Sequence, residues 1–200
     1  MRSKAFDNFA GLLSILAGVT GFAYAVSFVI ISKSDPSTGA LLSGKFLELT
    51  GILVIAPLIA LYQRFKDEGG YALWAFIFGV AGALGRAVHG GYDLANALNP
   101  STNLPALANL PSQSDPRGLL TFGLSGLALF TFSWLIDKNR TFPKNLAYLG
   151  YFSAILSLIL YVGRLTLLDP ANPIILYPAL INGFVANPLF YLWLGMRLRK

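Results

Sequence analysis

Two hundred residues would ordinarily make one soluble domain, yet this chain is 55% hydrophobic and only 12% charged, with a mean hydropathy of +0.62. A soluble domain carries about 25% charged residues. The absence of cysteine and the single histidine exclude disulfides, thiolate zinc sites, iron–sulfur clusters and bis-histidine haem within one chain, and the net charge of +6 fits basic cytoplasmic loops, with no nucleic-acid partner implied.

A helix needs roughly 20 apolar residues to cross a bilayer. Runs of that kind predict helices over 9–31, 41–62, 71–94, 119–136, 146–168 and 173–194, a polytopic all-α bundle forming a single integral membrane domain. Ser34-Asp35-Pro36, Gly69-Gly70, Asp137-Lys138-Asn139 and Asp169–Pro173 break the runs. The basic start followed by Ala23-Tyr24-Ala25 mimics a cleavable secretory signal, but the apolar run continues to Ile31, so the first helix is read as retained. Residues 95–118, rich in Pro, Asn and Ser, form a long outer loop read as a lid.

Loop charge gives the orientation. Arg2, Lys4, Arg64, Lys66, Lys138, Arg140, Lys144, Arg197, Arg199 and Lys200 fall on one side, against Lys33, Lys45 and Arg117 on the other. Both termini are therefore expected in the cytoplasm, and the protein in the cytoplasmic membrane of a prokaryote. Trp74, Trp134 and Trp193 all fall at the same inner interface, where indole rings anchor.

Ionisable groups at membrane depth are expensive and point to function. Glu48 stands on helix two, Arg86, His89 and Asp93 on helix three, Tyr161 and Arg164 on helix five, and Asn182 on helix six. With this topology all fall in the outer half. Arg86, His89 and Asp93 are spaced i, i+3, i+7 and share one stripe, and Ser157, Tyr161 and Arg164 share another. Two readings stay open: an ion-pair network of Glu48 and Asp93 with Arg86 and Arg164, or an outward-open polar site that binds or transports a small polar or anionic ligand. An accessory or assembly subunit of a larger membrane complex is the second functional class. An intramembrane enzyme, with His89 and Asp93 as an oriented base, is the third.

No cofactor is expected. Gly79, Gly82 and Gly85 most simply mark a helix contact, although space beside Gly85 would also suit a flat tetrapyrrole held by His89. Pro178 and Asn187-Pro188 predict a broken helix six of the kind that lines transporter sites. Gly123-Leu124-Ser125-Gly126 on helix four resembles the nucleophile motif of rhomboid proteases, but helix six carries Asn182-Gly183 where those need a histidine. The Asp35–Thr38 stretch, the Leu61-Tyr62-Gln63-Arg64 end of helix two and the closing Tyr191–Arg199 segment are similar to the uncharacterised six-helix bacterial membrane proteins of the domain-of-unknown-function type. That resemblance implies the fold and no activity.

Overall fold

Helix starts follow from capping side chains just outside the apolar runs. Ser3 Oγ accepts from the Phe6 amide at 3.4 Å, Asp35 Oδ1 from the Thr38 amide at 3.1 Å, and Asn172 Oδ1 from the Ile174 amide at 3.0 Å. Asp115 is buried and accepts from the Leu120 and Thr121 amides at 2.9 and 2.8 Å. The Asp35 carboxylate also takes the Thr38 and Ser37 hydroxyls, and these bonds, those of Thr38 foremost, hold its pKa down at about 2. The Asp-Pro-Ser-Thr stretch is thus a helix cap, with Pro36 in the first turn where its missing amide costs nothing.

The computed structural model describes residues 3–99, 115–167, 169 and 171–200. Among these, six helices are long and apolar enough to cross a membrane: α1 Lys4–Ser34, α2 Pro36–Glu68, α3 Gly70–Leu98, α4 Leu119–Asn139, α5 Lys144–Thr166 and α6 Pro173–Leu198. All six spans expected from sequence are present. Most run a turn or so past the apolar core, because the caps lie beyond it. The loop expected between the first two helices contracts to Asp35 alone. Most of the expected lid, residues 100–114, lies outside the described residues.

Small residues set the packing. A Cβ on Gly90 would overlap the Glu48 backbone, one on Gly44 would stand 2.7 Å from the Leu94 amide nitrogen, and one on Gly51 would stand 2.5 Å from the Ala83 carbonyl. α2 and α3 therefore meet backbone to backbone, antiparallel, over most of their length. Gly82 and Gly85 face α4 instead, Gly82 against Ser125 and Gly85 against the Leu120 side chain, while Gly79 lies between Leu58 of α2 and Ala128 of α4. The α1–α6 seam uses Gly11 against Gly195 and Gly18 against Pro188 and Leu192. Gly126 against Ala154 joins α4 to α5, and Gly163 against Ile175 joins α5 to α6. Each helix packs antiparallel on its chain neighbours, and α6 closes back on α1. The result is a ring in up–down order, its centre filled by Leu61, Phe132, Phe190 and Leu194. Lipid supplies no hydrophobic force between helices, so this close approach is the main source of association.

Both described ends of the chain lie at one end of the ring, where Gly11 meets Gly195 and Arg199. Trp74, Trp134 and Trp193 belong to this end, with Tyr71 edge-on to Trp134 at 5.2 Å and the Lys138 ammonium 5.2 Å above the same indole. Here too Arg64 pairs with Asp7 at 3.3 Å, both side chains buried, with the guanidinium 4.6 Å from the Phe142 ring. Arg64 read as a loop charge in the sequence; it is a buried tie between α1 and α2.

Gly90→Val should destabilise the bundle by about 3 kcal/mol or more, because backbone cannot yield to the added methyls. Gly70→Val, with nothing within 4 Å of its Cβ position, should leave stability unchanged. Chemical unfolding in detergent distinguishes the two, and equal losses would refute the seam.

Candidate functional site

Three helices lose regular geometry, all in the half of the ring away from the termini. π-helical turns occupy Ser27–Ile31 of α1, Leu119–Leu124 of α4 and Asn182–Ala186 of α6. Such turns recur at functional sites. In α6 the π turn lies between Pro178 and Pro188, the two residues that cannot donate a helical hydrogen bond. The interruption expected from sequence therefore takes the form of a widened turn and not a gap.

Asn182 holds that turn. Its carboxamide accepts from Ser153 Oγ at 2.7 Å and donates to Ser157 Oγ at 3.0 Å, and Asn187 donates to Ser153 Oγ at 3.4 Å. Ser157 in turn donates to the Ser153 carbonyl. Asn182 is buried and satisfied, so it acts as a clamp between α5 and α6. A similar hydroxyl pair, Thr50 to Thr20 at 2.8 Å, bridges α1 and α2.

Arg86 occupies the centre. It stands near the midpoint of α3, between the face that meets α2 (Ala83, Ala87, Gly90) and the face that meets α4 (Gly82, Gly85), and so points along neither seam but at the ring axis. It is only 9% exposed. Across the ring, Tyr191 of α6 lines the same small cavity as Arg86. Tyr191 is itself fixed at its carbonyl by Ser14 Oγ of α1 at 2.7 Å. A cavity of about 20 Å³ lies against Arg86 and Tyr191, walled by Val54, Leu58, Phe132, Phe190 and Ser125. That is room for one water-sized body.

Asp93 shares the axial face of α3 but is turned to His89, whose Nε2 lies 3.2 Å from Asp93 Oδ2. Asp93 is seven residues, roughly 10 Å of helix, from Arg86. Among the described residues no carboxylate lies within ion-pair distance of Arg86. Arg164 lies 4.9 Å from the Phe122 ring, and its carbonyl accepts from Arg117 Nη1 at 3.0 Å. Arg117 adopts a positive φ of 63°, and Gly118 follows at 75°, a bend that brings the start of α4 over the end of α5. Tyr161 lies with its ring against Gly123 of α4.

Glu48 stands apart. Its carboxyl faces Gly91, with Oε1 3.6 Å from the Cβ position there. Gly91 is one residue, roughly 100° of rotation, beyond the Gly90 seam. Glu48 therefore lies on the outer flank of the α2–α3 contact and away from Arg86. Of the residues singled out in the sequence, the structure keeps Arg86, His89 and Asp93 on one side of α3, with His89 bonded to Asp93. It uses Asn182 and Tyr161 as packing elements on α6 and α5, places Arg164 beside Phe122, and separates Glu48. Reading by sequence overlooked Tyr191, an ordinary aromatic position until the fold sets it in the same cavity lining as Arg86; Tyr24 reads in the sequence as part of a mild polar stripe with Thr20 and Ser27 on the first helix. Beside Gly85 the Leu120 side chain occupies the space that a flat ring would take, and Ser125 Oγ donates to the Leu120 carbonyl at 3.4 Å.

No known family, no curated protein and no solved structure matches this chain.

Asn182→Ala should lower stability by about 1–2 kcal/mol, the upper range for hydrogen bonds between membrane helices, because it strands Ser153 and Ser157 in a dry seam. Unfolding in detergent measures this, and a change under about 0.3 kcal/mol would show that the network does not hold the π turn.

Proposed function

We propose that this six-helix membrane protein binds, and passes through its outer half, a small polar or anionic molecule whose negative charge is met by Arg86. The observation that carries the reading is a guanidinium nine-tenths buried on the ring axis, with Tyr191 lining the same cavity and, among the described residues, no carboxylate within ion-pair distance. A buried charge without a counter-charge costs several kcal/mol, so a site of this kind is stabilised by an anion that enters it. A second cation, Arg164, stands beside Phe122 at the start of α4, in the half of the ring away from the termini, and adds positive potential there. The π turns of α1, α4 and α6 give that half of the ring the bent walls that a passage needs, while the opposite half is closed by Leu61, Phe65, Leu135, Ile136 and Leu194. His89 and Asp93 flank the approach as a self-contained pair.

The protein belongs, in this proposal, to the cytoplasmic membrane of a prokaryote, with both termini in the cytoplasm. Support comes from the excess of Lys and Arg and the three Trp residues at the terminal end. With no native cysteine, the orientation is directly measurable. Ser37→Cys should react with a membrane-impermeant maleimide in intact cells, and Asn139→Cys only after lysis; the opposite pattern would invert the topology.

For ligand binding, the purified protein is heated in detergent with chloride, nitrate, acetate or phosphate at constant ionic strength. At least one anion should raise the melting temperature of the native chain and fail to do so for Arg86→Gln. The reading is sunk if no anion acts, or if the shift survives the substitution.

A further inference from the structure

We infer that the space between Arg86 and Tyr191 is a binding site for one monoatomic anion of halide size. This inference rests on the anion-binding reading above and narrows it to a chemical class.

Three observations point the same way. The first is the donor set. Arg86 offers only N–H donors, and Tyr191 and Ser125 bring hydroxyls to the same cavity. Neither Glu48, turned to Gly91, nor Asp93, bonded to His89, contributes an acceptor there. Ser125 gives its one hydroxyl hydrogen to the Leu120 carbonyl, so the free donors are the guanidinium and the Tyr191 hydroxyl. This fixed positive charge selects an anion over a neutral polar molecule and rejects cations.

The second is size. The cavity of about 20 Å³ holds one water-sized sphere. A carboxylate or phosphate brings several heavy atoms and does not fit without displacing Phe132, Phe190 or the α2 residues Val54 and Leu58. Those walls are closely packed: Leu58 rests on Gly79, and Phe190 on Gly150. A halide needs no such rearrangement. Its spherical charge also makes no demand for the paired, planar geometry that guanidinium offers to carboxylates.

The third is the dryness of the surroundings. Apart from Arg86, Ser125 and Tyr191, the residues around the cavity are apolar or glycine. In such surroundings the attraction between the guanidinium and a bare anion is far stronger than in water, which offsets loss of the ion's hydration shell. Larger oxyanions gain no further donors there.

The test is isothermal titration of the full chain in detergent with sodium salts of chloride, bromide, nitrate, acetate and phosphate. Chloride and bromide should bind saturably at one site per chain, with no measurable competition from acetate or phosphate. Tyr191→Phe, which keeps the ring and the fold, should weaken bromide binding about tenfold, the worth of one hydrogen bond to a charged group. Tyr148→Phe, on the opposite face of α5 at the terminal end, should leave it unchanged. If acetate or phosphate binds as tightly as the halides, and Tyr191→Phe weakens them equally, the halide assignment is overturned while the anion-binding reading stands. If no anion binds, both fall. If Arg86→Gln yields no folded protein, Tyr191→Phe alone decides, and bromide binding undiminished in that variant overturns the assignment.

Discussion

A guanidinium held at the centre of a helical ring in hydrocarbon sets the conditions for its surroundings. Lipid offers it neither water nor a counter-charge, and only the protein interior can. α3 presents Arg86 to the axis because the flanks on either side of it are consumed by glycine seams, Gly90 towards α2 and Gly82 towards α4. α6 presents Tyr191 opposite, and α1 fixes that residue through Ser14. The seams are thus more than packing. They fix the rotation of α3, and that rotation determines which of its polar residues look inward.

The two halves of the ring serve different ends. Towards the termini the helices are regular, the centre is filled with Leu, Ile and Phe, and the buried Asp7–Arg64 pair ties α1 to α2. Breaking such a pair is costly because the remaining charge stays buried. Away from the termini three helices take π turns, and buried polar groups such as Arg86 and Asn182 stand near the more exposed Asp93. A rigid base beneath an irregular upper half is a suitable arrangement for a site that must admit and release a ligand. Asn182, bonded to both Ser153 and Ser157, keeps the irregular segment of α6 attached to α5 while leaving it free of regular hydrogen bonding.

The spans themselves were legible from the sequence because hydropathy over 20 residues is a strong signal. The break in α6 was legible as well, since Pro178 and Pro188 announce it chemically. Glu48 was not. Its depth could be counted along the helix, but its facing depends on which flank of α2 meets α3, and that is set by Gly44, Gly51 and Gly90 acting together. The same limit hid the Arg64 partner: Asp7 lies far away in sequence, and only antiparallel packing of α1 on α2 joins them. Asp93 was rightly expected on the stripe of Arg86, yet it bonds to His89, four residues back and so within reach on the same face. The ion-pair network imagined between helices is thereby replaced, at Asp93, by a pair within one helix. What remains at Arg86 is a buried positive charge with no carboxylate within ion-pair distance among the described residues.

Crystals of the protein grown from bromide and measured at the bromine absorption edge test the halide assignment most directly. The account predicts an anomalous peak within about 3.5 Å of the Arg86 guanidinium, on the side facing Tyr191, at contact distance for a charge-assisted bond. A carboxylate of Asp93 or Glu48 rotated into that position, with no bromide, would contradict it and make Arg86 a structural charge.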